Sequence, residues 1–160
     1  MPDTSYFLRL LNNRTKANLF LLRKLPAAYF SGVRINAASA AACTTSVPFR
    51  WFTKNPFRST YFACLSMAAE LSTGALAMAA LYGRSKAVSM LLVQVEGRFF
   101  KKATGHTIFT CTAGLRLQQA VENAIETGTP QTVKVASTGT DAAGNRIAEF
   151  WFTWSFKAKG

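Results

Sequence analysis

Acidic residues are scarce in this 160-residue chain, where seven Asp and Glu face nineteen Lys and Arg and leave a formal net charge of +12. The imbalance favours anionic partners such as nucleic acid, acidic lipid or phosphorylated cofactors. The basic residues are dispersed, however, and no run is longer than Lys101-Lys102. A dedicated nucleic-acid stripe is therefore not indicated, and no nucleic-acid partner is expected. Cysteine is also sparse: Cys43, Cys64 and Cys111 form no Cys-x-x-Cys and no Cys/His pair. Three widely spaced thiols read as free and buried, in a reducing compartment, with no metal site. The one histidine, His106, opens a strand-like segment with no carboxylate beside it, and reads as a surface or edge residue. Near the start, Asn12, Asn13, Arg14 and Lys16 break the apolar run, so no secretory h-region is recognised and a cytoplasmic protein is expected. No repeat or low-complexity linker divides the chain, which reads as one domain over 1–160.

Apolar residues, in contrast, make up 49% of the sequence. They concentrate in Tyr61 to Tyr82, YFACLSMAAELSTGALAMAALY, a run without Pro whose composition predicts a helix over 60–82. Thr60 or Ser59 is the expected N-cap, and Gly83 the expected stop. Apolar side chains surround the axis on nearly every side, so the helix must be enclosed by protein or by lipid. Its length would span a bilayer. A lone carboxylate near its middle, Glu70, argues against that, and short strand-like segments rather than a second span follow it. On a helix, Ser66, Glu70, Thr73 and Gly74 fall at i, i+4, i+7 and i+8, one narrow polar and small-residue stripe suited to a pocket or an interface.

Around this helix the order of elements is simple. Residues 5–25 predict one or two short amphipathic helices ending before Pro26, an arm that packs on the domain, roofs an apolar channel or lies on a membrane surface. Two strands are expected between Ala28 and Arg50, and a loop over Trp51 to Ser59. Beyond the helix, Ala87 to Lys101 and Gly105 to Thr112 read as strands joined by a turn at 102–105. Leu115 to Thr127 reads as a short amphipathic helix, and Gln131 to Ser137 with Arg146 to Phe156 as a hairpin around DAAGN. The expected fold class is α+β, a curved antiparallel sheet wrapped around one long central helix. Its open edge strand and apolar rim predict a homodimer or higher homo-oligomer.

Leu25-Pro26-Ala27-Ala28, Asn55-Pro56-Phe57, Ala68-Ala69-Glu70 and the closing Phe152-Thr153-Trp154-Ser155-Phe156 resemble an uncharacterised, thioesterase-like branch of the hotdog-fold superfamily. The likeness covers the chain beyond the arm. It is similar to acyl-CoA thioesterases of the phenylacetate-pathway type, in which an Asn precedes the helix and an Asp or Glu lies on it; Asn55 and Glu70 match that pattern. The resemblance implies a thioester hydrolase acting on an acyl-CoA or acyl-carrier-protein substrate, with coenzyme A entering only as part of the substrate and no separate cofactor. It also implies that Ser89 could face the pocket.

The chemistry fits these residue types. Thioester hydrolysis needs a carboxylate as nucleophile or base, the role open to Glu70, and hydrogen-bond donors for the oxyanion, which the helix-start N–H groups around Tyr61 and Phe62 could supply. Asn55 could orient water or substrate. The sequence departs from the related hydrolases where they carry His-Gly-Gly, having Tyr61-Phe62-Ala63 instead. Two other roles are open to Glu70 and its surroundings: a structural carboxylate paired with an Arg or backbone donors, and a non-catalytic protein that binds acyl groups or fatty acids. Candidate contacts to coenzyme A phosphates are Arg58, Arg84, Lys86, Arg98, Lys101 and Lys102. The aromatic run from Phe49 to Phe57 is expected in the core, or as an acyl-binding wall.

Overall fold

A computed structural model describes residues 3–160, which include the whole stretch 5–25 expected to form the arm. The arm is two helices, α1 (Thr4–Asn12) and α2 (Arg14–Lys24), as the sequence predicts. Asp3 caps the first through the N–H of Tyr6, and Asn13 caps the second through that of Lys16. A third helix, α3 (Pro26–Phe30), occupies residues expected to begin a strand. Pro26 stands in its first turn, where a preset φ and a missing N–H cost a helix nothing. The strands then begin at β1 (Arg34–Ala38) and continue with β2 (Cys43–Val47).

After a 3-10 turn at Trp51–Thr53 comes the central helix α4 (Phe62–Leu81), followed by β3 (Val88–Phe99), β4 (Thr107–Cys111), α5 (Gly114–Thr127), β5 (Gln131–Thr140) and β6 (Arg146–Ala158). The six strands form one antiparallel sheet in the order β1-β2-β4-β5-β6-β3. This sheet around one buried helix is the hotdog fold. Two local expectations are corrected. Strands β3 and β4 are not a hairpin, because β3 pairs with β6 at the far edge while residues 100–106 cross back beneath the loop before α4. The N-cap of α4 is Tyr61 and carries no side-chain cap; Thr60 bonds instead to the carbonyl of Ala103, and Ser59 to Asn55.

Helix α4 is the one helix among the described residues long and apolar enough to cross a membrane, and it is enclosed by the sheet instead. Its rotation is fixed by buried polar contacts. Thr45 donates to the carbonyl of Ala68 at 2.6 Å, the Ser72 and Ser137 hydroxyls lie 2.7 Å apart, and Trp154 Nε1 donates to Thr73 Oγ1 at 3.0 Å. Each satisfies a group that would be costly to bury alone.

The two sheet edges differ. Along β1, the Asn12 side chain from α1 both donates to the carbonyl of Ala38 and accepts from its N–H, at 2.7 and 2.9 Å, as a ladder partner would. Edge strand β3 has no such cover among the described residues, and Leu91, Val93 and Val95 on it are exposed. All three cysteines are free and buried, with Cys43 opposite Cys111 on neighbouring strands.

The arm belongs to the core, since Phe7, Leu11 and Leu21 are buried in the same cluster as α4. Leu11→Ala should therefore cost about 2–5 kcal/mol in urea unfolding, as for any fully enclosed Leu. A cost below roughly 1 kcal/mol, the size of an ordinary surface change, would mean that the arm does not dock as described.

Candidate functional site

The rotation that the polar clamps impose on α4 places Glu70 between the α2–α3 junction and the β3–β6 end of the sheet. There it lines two adjoining cavities. One, of about 210 Å³, lies among Lys24, Leu25, Pro26, Ala27, Ala28, Met67 and Leu71. The other, of about 180 Å³, lies among Phe20, Lys24, Leu25, Leu71, Gly74, Met78, Met90 and Trp154. Both are apolar apart from Glu70 and the Lys24 side chain, which forms no ion pair with it. Glycine at 74 makes room for the carboxylate, because a Cβ there would stand 3.0 Å from Glu70 Oε1. Desolvation alone pushes the Glu70 carboxyl above its ordinary pKa. Among the described residues no donor reaches its side-chain oxygens, although its main-chain carbonyl accepts from Thr73.

Of the residues singled out in the sequence, the structure brings together Glu70 and Gly74. Thr73 is fully buried, its hydroxyl held between Trp154 and the carbonyl of Glu70, so it does not face the cavities. Ser66 is half-buried and lines neither. Ser89 is exposed and donates to the carbonyl of Lys157; the alternation of β3 gives the cavity Met90 instead. Asn55 uses Oδ1 to accept from the N–H groups of Phe57 and Ser59 and from the Ser59 hydroxyl, which organises its own loop. It borders a separate, more open hollow of about 490 Å³ with Phe49, Lys54, Pro56 and Arg58. Tyr61 and Phe62, packed edge-on at 4.9 Å, are exposed. The N–H of Tyr61 is taken by the carbonyl of Thr53, which leaves those of Phe62 and Ala63 at the open end of the helix.

The phosphate candidates divide as well. Arg84 pairs with Glu122, Lys101 with Asp141, and Lys102 donates to the carbonyl of Phe57. His106 is exposed at the mouth of β4, as expected. The aromatic run is not core, since Trp51, Phe52 and Phe57 are exposed and border neither Glu70 cavity. The cavity residues that sequence reasoning passed over are chiefly Phe20, Lys24 and Leu25 of the arm and Met67, Leu71 and Met78 of α4. The last three stand at −3, +1 and +8 from Glu70, a helical period that could have flagged them.

A long buried helix under a six-stranded antiparallel sheet, with a carboxylate facing an arm-roofed cavity, now has relatives to be set beside. The chain belongs to DUF4442, a family described as a domain of unknown function. The match spans residues 16–156 and so takes in most of α2, nearly all of the sheet and Glu70. No curated protein sequence matches the chain. Among solved structures, it is similar to a Pseudomonas aeruginosa protein of unknown function named a probable thioesterase, at 20% identity and TM-score 0.77 over 91% of this chain and 96% of that one. A protein of unknown function from Chlorobaculum tepidum matches at 11% identity and TM-score 0.75, covering 91% and 97%. A mutant thioesterase from Pseudomonas aeruginosa matches at 16% identity and TM-score 0.67, covering 95% and 94%. At these identities the likeness is one of fold.

The raised pKa of Glu70 in this DUF4442 chain has a definite consequence for stability. A carboxyl whose folded pKa lies above its unfolded value keeps its proton more tightly in the native state. Its contribution is therefore fully present below the unfolded value, near 4.5, and is lost as pH rises through the raised folded value. Glu70→Gln removes the ionisation, so the variant should melt above the wild type at neutral pH, and the gap should close toward pH 4.5. Paired melting curves across that range are the check, and a constant gap would contradict a desolvated carboxylate.

Proposed function

We propose that the chain is an acyl-thioester hydrolase in which Glu70 is the base or nucleophile. The observation that carries this reading is a carboxylate held against an apolar cavity with no hydrogen-bond donor of its own. A desolvated carboxylate with a raised pKa is a stronger proton acceptor than an ordinary surface carboxylate. In the base route, water adds to the thioester carbonyl while Glu70 takes its proton; the C–S bond then breaks, and the departing thiolate is protonated as the acid forms. The names of two fold neighbours, a probable thioesterase and a mutant thioesterase, agree with this reaction class. Each cavity is smaller than the roughly 300–1,000 Å³ of typical ligand sites, which suits a short acyl chain or one lying across both. Coenzyme A or the phosphopantetheine of a carrier protein would suit the positive surface. In this reading Asn55 serves through its loop and not on the acyl group.

The chain acts as a homodimer in this proposal. Within one chain the first free N–H of α4 is eight residues from Glu70, about 12 Å along a helix. That is too far for one carbonyl to reach both. Antiparallel pairing of two β3 edges about Gln94 would set Met90, beside Glu70, opposite the end of the partner strand that leads through Ala103 to the start of its α4. The helix start of one copy and Glu70 of the other would then serve one thioester. Light scattering should give a dimer, and Val93→Lys, which sets a charge on the exposed edge, should shift it toward monomer. A wild-type monomer would count against the shared site.

Glu70→Gln should leave the fold intact and lower turnover of acyl-CoA esters by a factor on the order of 10² or more. Free thiol release and melting temperature, taken on one preparation, separate catalysis from stability. The bulk of Tyr61 and Phe62 at the helix start favours a second reading, that of a non-catalytic acyl binder. Wild-type protein that binds an acyl chain yet hydrolyses neither short, long nor aromatic thioesters would establish the binder instead.

A further inference from the structure

The loop between β2 and α4 is well built and yet uncovered. Trp51 is 76% exposed, Phe57 69% and Phe52 55%, and nearby Phe30, whose carbonyl accepts from Arg50 at 3.1 Å, is 57% exposed. Their exposure does not come from a slack backbone. Thr53 Oγ1 donates to the carbonyl of Pro48 and accepts from the N–H of Arg50, and Lys54 bridges to Thr60. Asn55 ties the tip together, and Thr60 anchors the base to Ala103. Large aromatic rings held outward by a fixed loop mark a contact surface.

Charge identifies what the surface contacts. Between Asp3 and Glu70 the sequence has no acidic residue and nine Lys and Arg. None of those nine forms an ion pair among the described residues, because every pair in the molecule draws its cation from residue 84 onward. Arg50, Lys54 and Arg58 alternate with the exposed rings in the loop itself, and Lys102 joins them through the carbonyl of Phe57.

We infer that this loop docks the protein on an anionic lipid bilayer surface, with Trp51, Phe52 and Phe57 entering the headgroup layer and the flanking cations meeting acidic headgroups. Tryptophan and its aromatic neighbours partition to that layer, and polybasic segments bind it electrostatically. A second copy is the competing occupant, because the dimer proposed above brings the start of α4, beside this loop, against the other copy; a contact between two such loops, however, would bring like charges together. A nucleic acid would need an extended basic groove with several stacking rings, and the open hollow of about 490 Å³ beside the loop, lined by Phe49, Lys54, Asn55, Pro56 and Arg58, offers a single ring. The inference rests on the loop alone and holds whether or not Glu70 is catalytic.

The test is co-sedimentation of the full chain with phosphatidylcholine vesicles, with and without phosphatidylglycerol at about a third of the lipid. Binding should appear with the anionic vesicles, weaken with salt, and fall roughly fivefold for each of Lys54→Gln and Arg58→Gln. Trp51→Ala combined with Phe57→Ala should lower the partition at least tenfold with an unchanged melting temperature. Wild-type protein gives a reading that needs no variant. Trp51 is the most exposed tryptophan, the other two being half-buried or buried. Its emission should shift to the blue on anionic vesicles and be quenched by brominated lipid. No sedimentation, no emission change, a double variant that binds as well as wild type, or a preference for a single-stranded oligonucleotide over the vesicles would each overturn the inference. So would a change of oligomeric mass in the double variant, which would assign the loop to a second copy.

Discussion

A helix with apolar side chains on every side cannot face water anywhere, and most of this architecture follows from enclosing it. Enclosure by a sheet creates a second demand, because the hydroxyls within Phe62–Leu81 go inside with the rest. Thr73 and Ser72 meet Trp154 and Ser137, and Thr45 meets the carbonyl of Ala68. These three contacts come from β6, β5 and β2, so they hold the helix from separate directions against rotation. Apolar packing alone would tolerate a turn of the helix about its axis. The hydroxyl contacts would not, and they fix Glu70 at the cavities beside the arm.

The face that the sheet leaves bare is covered by the arm, which thereby acquires two jobs. Through Asn12 it supplies β1 with a substitute ladder partner, and through Phe20, Leu25 and their neighbours it roofs the space in front of Glu70. One element closes one sheet edge and shapes the cavity, while the opposite edge, β3, keeps exposed Leu91, Val93 and Val95. An unpaired strand with exposed apolar side chains is a template for association. The asymmetry between the edges thus separates the self-contained side of the molecule from the side suited to pairing.

The sequence made some of this legible and hid the rest for identifiable reasons. The helix around Glu70, the arm and the closing DAAGN hairpin announced themselves through composition, caps and turn residues, which act locally. Pairing of β3 with β6 was not legible, because a turn-like stretch at 102–105 looks the same whether its strands lie side by side or at opposite ends of a sheet. Helix α3 was missed because aromatic and small residues after Pro26 fit either state, and the contact with α2 and α4 decides between them. Asn55 and Ser89 show the limit of spacing arguments. Each occupies the position in the chain that a site would use, but the Asn55 amide closes its own turn and the alternation of β3 points Ser89 outward.

Glu70 is the residue for which structure adds most to what spacing could say. A structural carboxylate in an apolar setting is held by partners, an arginine or several backbone N–H groups, since an unpaired buried charge costs more than its packing returns. Neither partner reaches its side-chain oxygens among the described residues, while Gly74 gives it room and the surrounding apolar side chains leave it half-buried. A group kept in a position that destabilises the fold is accounted for more readily by chemistry performed there than by architecture, because Gln or Met on the same helix would pack without the desolvation penalty. In the proposed hydrolase a base alone would not suffice, and because the nearest unpaired N–H groups on its own helix are two turns away, that proposal places the complement to Glu70 on a second copy across the open β3 edge.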